Sequence, residues 1–337
     1  MTRKRFLAAF PAAGLIPALG VLCVIVHYLG GPLLEGALTE ALVYMVMVIA
    51  LYAFIGNSGI ISFGHVTFAM IGAYASAWQT CCAGMRGVFM PGLPDWLLRV
   101  NMPTTPATLL AALLAAAFAA LIGVAITRLG AFAAPIGLLS LLFVIKTIYE
   151  NWTSVTAGQS SIVGLPLDVD IWTALLWVFA AIVVAQLYAR SPSGLRLRAS
   201  REDEAAARAS GVTIWKERLI AFVLSAFLFA VGGGLFGHFL GTLAVSEFWL
   251  DMTFLTLAML VVGGMRSLTG AVVGTLVVSA VRELLRAFER GIDIGGLDIH
   301  APEGTQEIWL AVILLVILIF RPQGLVGDRE LGRPVVK

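Results

Sequence analysis

The sequence from Arg190 to Leu240 reads RSPSGLRLRASREDEAAARASGVTIWKERLIAFVLSAFLFAVGGGLFGHFL. Its first part, Arg190 to Arg218, contains eleven charged residues among 29, whereas the following 22 residues contain no Asp, Glu, Lys or Arg. Because an α-helix rises about 1.5 Å per residue, roughly 20 apolar residues cross a hydrocarbon core of about 30 Å. The stretch therefore predicts a membrane helix that begins directly after a segment kept in water.

The composition of the whole chain extends this pattern. Of its 337 residues, 60% are hydrophobic and 12% are charged, against about 45–50% apolar and about 25% charged in soluble domains. In lipid, backbone polar groups must be satisfied within the chain, so helix is the expected structure. We predict an all-α fold, a polytopic α-helical membrane protein with about ten transmembrane helices (roughly eight to ten) in one domain over residues 1–337. The predicted spans are 10–29, 37–55, 65–83, 107–127, 131–150, 171–189, 219–240, 251–264, 267–286 and 305–320.

The basic residues of the loops predict the orientation. An even number of crossings places both termini on one side, together with residue 128, the 190–218 loop and residue 266. That side carries sixteen of the 22 Lys and Arg residues. Cytoplasmic loops of membrane proteins carry an excess of Lys and Arg. Both termini and the 190–218 loop are therefore predicted to be cytoplasmic.

The 190–218 loop has the signals of a short helix over 201–210. Ser200 followed by Asp203 is similar to a capping box, acidic residues fill the first turn, and Gly211 stands where a helix commonly ends. A helix of ten residues is marginal in water, because nucleation costs more than so few hydrogen bonds return. Contacts with the rest of the protein or with a partner must therefore stabilise it.

Three alanines give this predicted helix a small-residue face. Ala205 and Ala209 lie one turn apart and Ala206 lies beside them. Another protein surface can approach such a face closely. The alternative is a solvated loop whose charges serve only to set the orientation.

A second cluster of small and polar residues interrupts the apolar pattern at 56–65. Broken helices of this kind often frame transporter sites, because half-helix N-termini present N–H donors that suit a carboxylate. Small residues also allow close helix packing, so pathway lining and packing are both open. His65 is expected to be a hydrogen bonder at a helix start. The residues assigned to the substrate pathway are Gly56, Asn57, Ser58, Gly59, Ser62, Gly64, His65, Gly263 and Gly264.

The chain shows no means of hydrolysing nucleotide. None of its four lysines stands in the G-K-[ST] sequence of a phosphate-binding loop. Any ATPase that acts with this chain must then be another polypeptide, and no cofactor is predicted for this chain. We also predict no metal and no catalytic residue, since no cluster has the spacing of a ligand set or a catalytic pair. Cys23, Cys81 and Cys82 are interpreted as small apolar residues of the core.

The predicted spans are poor in carboxylates and lack the acidic or histidine chain of many proton-coupled carriers. Lys146 and Glu150 are spaced to pair along one helix, and so are Glu283 and Arg286. This pattern counts against secondary transport.

Residues 194–211, GLRLRASREDEAAARASG, resemble the cytoplasmic coupling loop of ABC importer permeases of the branched-chain amino acid class, the LivM type. Other segments resemble motifs of the same family in the same order. They are GNSGIISFGHVTFAMIGAY at 56–74, VGGMRSLTG at 262–270 and FRPQGLVG at 320–327, with a weaker match at 156–158 and 164–166. The resemblance covers most of the chain.

The resemblance implies a non-catalytic permease subunit of a bacterial ABC importer for branched-chain or related amino acids, in the inner (plasma) membrane. It also implies a second, LivH-like permease subunit, two ATP-binding subunits that bind the ATP, and a periplasmic substrate-binding protein. Membrane lipid surrounds such a protein, and no nucleic acid is involved. The residues implied in ATPase coupling are Arg201, Glu202, Asp203, Glu204, Ala205, Ala206 and Gly211.

Two residues depart from the family pattern. Arg266 stands where the family usually has a small residue, and Lys146 lies in a span that usually carries an acidic one. The substrate is therefore open, and permeases of this class for urea, short-chain amides or aromatic acids are the alternative. Further alternatives are an ion-coupled secondary carrier working alone and a membrane-embedded enzyme.

Overall fold

The computed structural model describes residues 12–82, 86–130, 132–290, 292–294, 297–299, 302, 304–321 and 323–327. Within these residues the chain is mainly helical, as predicted. The α-helices are α1 (Ala12–Leu29), α2 (Gly31–Leu51), α3 (Val66–Thr80), α4 (Arg86–Phe89), α5 (Asp95–Arg99), α6 (Thr104–Ile126), α7 (Ala133–Asn151), α8 (Thr153–Thr156), α9 (Ile171–Arg190), α10 (Pro192–Glu202), α11 (Glu204–Ala209), α12 (Ile214–Leu240), α13 (Leu250–Gly263), α14 (Leu268–Arg290) and α15 (Thr305–Phe320). The predicted cytoplasmic ends 1–9 and 328–337 lie outside the described residues.

Seven helical segments in the described part of the chain are long and apolar enough to cross a membrane. They are Gly31–Gly56, Thr104–Ile126, Ala133–Asn151, Ile171–Arg190, Ile214–Leu240, Val245–Gly263 and Leu268–Glu289. Two shorter apolar helices, Gly14–Leu29 and Ile308–Ile317, lie in the first and last predicted spans. The third predicted span, 65–83, contains only the 15 residues of α3. The polytopic all-α membrane fold is confirmed; α15 has the predicted bounds of the last span, and the helix of the third span is shorter than predicted.

The core is formed by α3, α6 and α12, which pack against one another, and by α2, which packs against α12. Helix α3 is buried along nearly its whole length. A Cβ atom on Gly72 would lie 2.2 Å from the carbonyl oxygen of Ala230, and one on Gly233 would lie 2.1 Å from that of Ala69. Small residues at such positions let helices in lipid approach closely. These two glycines therefore set the distance between α3 and α12.

Other helices surround this core. Helix α9 packs against α1 and α2, and α14 packs against α2, α13 and α15. The strands are two short antiparallel pairs, β1 (Ile162–Val163) with β2 (Thr242–Leu243) and β3 (Ile292–Ile294) with β4 (Leu297–Ile299). Helix α2 thus has partners on several sides along its length.

The long helices define two ends of the protein. Residues 191–213, between the end of α9 and the start of α12, lie at one end, which we call the charged end. Helix α2 finishes at the same end in a π-helical turn, Tyr52–Gly56. Its first residue, Gly31, lies at the opposite end.

The cysteines agree with the sequence interpretation in part. Cys81 is buried in the hydrophobic core, as expected, and Cys82 packs against it, but the two are joined by a disulfide bond that was not predicted. The Cys82 side chain lies near Gly164, beside β1. Cys23 is free and buried, as expected.

Candidate functional site

The 190–218 loop folds as two short helices, α10 and α11, where we predicted one helix from Arg201 to Ser210. The Ser191 hydroxyl begins α10 by accepting a hydrogen bond from the Gly194 amide at 3.1 Å. Ser200 lies inside α10, where its hydroxyl donates to the Leu197 carbonyl at 2.7 Å. The predicted start at Arg201 was therefore wrong, because Arg201 lies in the last turn of a helix that begins nine residues earlier, at Pro192.

Asp203 separates the two helices. Its backbone is extended, with φ of −149°, and its side chain accepts a hydrogen bond from the Ala206 amide at 2.9 Å. A carboxylate in this position satisfies a donor that the first turn of a helix leaves unpaired. The same side chain that we placed within the first turn is thus the N-cap of α11. Helix α11 is only six residues long.

Gly211 ends this segment as predicted. It adopts φ of +81°, a conformation that glycine reaches without strain. Its amide donates to the Arg208 carbonyl at 3.0 Å, and the Val212 amide donates to the Ala207 carbonyl at 3.1 Å. The remaining face of α11 is open, because Ala205, Ala206 and Ala209 are exposed. A small-residue surface is therefore presented outward at the charged end.

Two arginines of α10 attach it to the end of α2. The Arg198 Nε donates to the Asn57 side-chain oxygen at 2.8 Å, and the Arg201 guanidinium donates to the Gly56 carbonyl. The Arg201 side chain also covers Gly59, where a Cβ atom would lie 2.7 Å from its Cγ. Gly59 has φ of +73°, so a larger residue would be strained in backbone and side chain alike. The predicted pathway residues 56–59 are thus joined directly to the predicted coupling loop.

The rest of the 56–65 stretch is held by local hydrogen bonds. The Asn57 amide and the Ser58 hydroxyl each donate to a carbonyl one turn earlier in the chain. His65 is a hydrogen bonder at a helix start, as predicted: it occupies the N-cap position of α3, its side chain binds no helix amide, and its Nδ1 lies 2.5 Å from the Ser62 hydroxyl. Its ring is buried among four phenylalanines. Those rings belong to Phe54, Phe68, Phe222 and Phe229. His65 is therefore placed in the core by apolar packing with one polar contact.

The remaining predicted pathway glycines make close backbone contacts. A Cβ atom on Gly64 would lie 2.1 Å from the Leu138 carbonyl oxygen, and one on Gly263 would lie 1.8 Å from that of Gly270. Next to them, Gly264 has φ of +125°, and the Val326 amide donates to the Gly263 carbonyl at 3.0 Å. This geometry accounts for the glycines by packing. Their role in a substrate pathway stays a prediction.

Ion pairs connect the charged side chains of the 190–218 loop. The Glu204 carboxylate lies 2.6 Å from Arg208 and 3.4 Å from Arg218, whose side chain is only 9% exposed. The hydrogen bond and the positive charge of Arg201 lower the pKa of the Glu202 carboxyl. A cleft of about 460 Å³ lies beside Glu204, where the Arg128 guanidinium stacks 4.8 Å from the Trp215 ring centre. The charged end is therefore held in place by paired charges around an open cleft.

Two predicted ion pairs are confirmed, and two further ion pairs were not predicted. Lys146 and Glu150 are 2.5 Å apart, and Glu283 and Arg286 are 3.3 Å apart. Arg286 and its neighbour Arg282 also contact Glu40, far away in sequence on α2. We did not include this group in the predicted site, although ionisable residues within membrane spans are the expected signal of a functional position. In the described part of the chain, no group of three or more potential metal ligands lies together.

The described part of the chain is thus a helical membrane domain with a charged helix pair fastened to the end of a core helix. Residues 33–320 match the family described as "Branched-chain amino acid transport system / permease component". Since the match extends over most of the chain, the protein belongs to this family.

Several characterised relatives agree with this assignment. The chain is 25% identical over 333 residues to the high-affinity branched-chain amino acid transport system permease protein LivM of Escherichia coli, covering 89% of this chain and 70% of LivM. It is 26% identical over 303 residues to the LivH permease protein of Salmonella typhimurium, covering 82% of this chain and 89% of LivH. A probable LivM of Methanocaldococcus jannaschii is 26% identical over 167 residues, covering 49% of this chain and 48% of that protein. No solved structure matches.

Proposed function

We propose that this chain is the membrane-spanning, non-catalytic permease subunit of a bacterial ABC importer for branched-chain or related amino acids. The observation that carries the proposal is the α10–α11 helix pair, which is fastened to α2 through Arg198 and Arg201 and exposes an alanine face outward. The names of the relatives, branched-chain amino acid permeases, support the substrate class. An inner-membrane location follows from the same proposal.

The energy source is proposed to be external to the chain. Two ATP-binding subunits would dock on the charged end, where the exposed alanines of α11 allow close approach and the neighbouring cleft offers arginines and Trp215. A second, LivH-like permease subunit and a periplasmic substrate-binding protein would complete the importer. ATP would be bound by the partner subunits only.

The proposed mechanism follows from the contacts of α10. When the ATP-binding subunits close, they would displace the α10–α11 pair. The Arg201 hydrogen bond to Gly56 would carry that displacement to α2. Because α2 packs against α9, α12 and α14, its movement would change the arrangement of the core helices. Alternation between outward and inward opening is the expected result.

The proposal is tested by uptake in a strain that lacks the transporter, with the chain expressed alone or together with its partner subunits. Labelled leucine, urea, a short amide and an aromatic acid are compared. We expect ATP-dependent leucine uptake that requires the partners. Uptake by the chain alone in membrane vesicles without ATP would identify an ion-coupled carrier and would contradict the proposal. Preference for urea or an amide would change the proposed substrate but keep the proposed class of protein, a permease subunit of an ABC importer.

The proposed orientation gives a separate prediction. In spheroplasts, a cysteine introduced as Ala209→Cys should react with a membrane-impermeant maleimide only after the membrane is opened. A matched cysteine introduced as Ser246→Cys, exposed near the opposite end, should react at once. The native cysteines should contribute little signal, because Cys81 and Cys82 are bonded to each other and Cys23 is buried. The reverse labelling pattern would invert the orientation.

A further inference from the structure

The opposite end of the protein contains a cavity of about 750 Å³ that no part of the predicted site includes. It lies between the first half of α2, the end of α12 and the second half of α14. Its volume is within the range of roughly 300–1,000 Å³ that small-molecule sites occupy. The lining residues divide into a charged group and an apolar group. This division is the basis of the inference.

The charged group is a network of arginines and glutamates. Glu40 accepts a hydrogen bond from Arg282 at 2.9 Å and from Arg286 at 3.3 Å. Arg286 also contacts Glu283 at 3.3 Å, and the Arg282 guanidinium lies 5.6 Å from the Tyr44 ring centre. These side chains are only partly exposed, with 18% exposure for Glu40 and 21% for Arg282. Two positive groups and several carboxylates therefore face one space.

The position of this group makes it costly to maintain. Glu40 lies nine residues after the start of α2, and Arg282 lies eight residues before the end of α14, which places both about 12–14 Å along their helices. Both helices belong to segments that are long and apolar enough to cross a membrane. Charges at membrane depth are expensive, and those that persist usually line a pathway for solute or ions. Structural pairing alone would be served by apolar residues of similar size.

Apolar residues form the other part of the cavity wall. Leu33, Ala37, Phe236 and Phe239 line it together with the charged residues. A guanidinium carries five N–H donors in a planar fork, so an arginine already paired with Glu40 can also bind a second carboxylate. Glu40 and Glu247, which also line the cavity, suit an ammonium group. The apolar wall suits a hydrocarbon side chain.

We propose that this cavity binds the transported solute as a zwitterion, with Arg282 and Arg286 on its carboxylate, Glu40 on its ammonium group and the apolar wall on its side chain. The solute class is therefore an α-amino acid with an apolar side chain. This inference rests on the proposed function, since it takes the chain to be an importer whose opposite end faces outward. It moves the point of solute recognition from the glycine stretch at 56–65 to the opposite half of α2.

The test measures leucine-dependent thermal stabilisation of the assembled transporter, purified without the binding protein. L-leucine should stabilise the wild type, whereas leucinamide, which lacks the carboxylate, and 4-methylpentanoate, which lacks the ammonium group, should not. Glu40→Gln, Arg282→Met and Arg282→Lys should each weaken apparent leucine affinity about tenfold or more, because each removes a charged hydrogen-bond partner or its forked geometry. Lys146→Met is the matched control, since it breaks an ion pair in another helix, and it should keep the wild-type affinity.

The outcomes separate this inference from the proposed function. Leucine that stabilises all variants equally, or that does not stabilise the wild type, overturns the cavity assignment while ATP-driven uptake can still be present. Arg282→Lys retains the charge that pairs with Glu40, so it reports on binding even where Arg282→Met fails to assemble. Loss of assembly with the second permease subunit at unchanged leucine affinity would identify a subunit contact and overturn the proposal. Absence of ATP-driven uptake by the wild type rejects the proposed function itself.

Discussion

Replacing Arg201 with alanine is expected to lower ATP-driven uptake by about tenfold or more while ATP hydrolysis continues. The Arg201 guanidinium donates a hydrogen bond to the last carbonyl of the π-helical turn of α2, and its stem covers Gly59. A hydrogen bond to a charged group contributes about 1.5–3 kcal/mol, and about 1.4 kcal/mol changes an equilibrium tenfold. Without this contact α10 no longer moves together with α2. Uptake and ATPase activity measured in the same proteoliposomes would show the difference.

The matched control is Arg196→Ala. Arg196 is also an arginine of α10, but its side chain is 59% exposed, and its described ion pair is with Glu217 of α12 at 3.3 Å. Exposed ion pairs contribute about 0–1 kcal/mol, so uptake should remain near the wild-type value. Equal uptake by Arg201→Ala and the wild type would refute the proposed link between α10 and α2.

Replacing Gly233 with leucine is expected to cause the largest loss of stability, more than about 3 kcal/mol in the free energy of unfolding. The new Cβ atom would lie 2.1 Å from the Ala69 carbonyl oxygen, which is backbone and cannot rotate away. Helices α3 and α12 would have to separate, and both belong to the core. Thermal unfolding of the detergent-solubilised protein, together with the yield of monodisperse protein, measures the effect.

Gly14→Leu serves as the control for this substitution. Gly14 also lies in an apolar helix, but it is exposed and no atom lies within 4 Å of a Cβ built there. Leucine has a higher helix propensity than glycine by roughly 0.5–1 kcal/mol, so the control should keep or slightly raise the stability. If the Gly233→Leu variant unfolds at the same temperature as the wild type, α3 and α12 are not held at the distance described.

The membrane helices were predictable because their signal is strong and local. A run of about 20 residues without charge has few structures available in lipid, so the sequence after Arg218 predicts α12 closely. Helix α3 was harder to delimit. Its apolar pattern continues to residue 83, yet the helix ends at Thr80 because Cys81 turns into an extended conformation. Sequence hydropathy does not record that change of backbone direction.

The helical character of the charged loop and its end at Gly211 were predictable, but its division into two helices was not. Gly211 was recognised as a helix end because glycine is the residue that most often adopts the left-handed conformation there. Asp203 was placed inside a helix, since an acidic residue in a first turn and an N-cap aspartate have nearly the same sequence signature. The hydrogen bond from the Ala206 amide decides between them. Whether Asp203 is a first-turn residue or an N-cap depends on the backbone geometry, which the spacing of residues in the sequence does not determine.

The opposite-end cavity was missed for a different reason. Glu283 and Arg286 are spaced to form an ion pair within one helix. No other partner was therefore predicted for them from the sequence. Glu40 was not considered, because its partners are more than 240 positions away along the chain. Only the packing of α2 against α14 brings the three groups together. Long-range contacts of this kind require the fold.

Helix α2 carries Glu40 in one half and, 16 residues later, the Gly56 carbonyl that Arg201 binds, a separation of about 24 Å along the axis. Under the proposals above, the two positions are occupied by different molecules, the solute and the ATP-binding subunits. Thermodynamic linkage is reciprocal, so whatever factor nucleotide imposes on solute affinity, the solute imposes on nucleotide affinity. The cargo would then act as an allosteric effector of its own motor, and the nucleotide affinity of the assembled importer would differ between a loaded and an empty cavity.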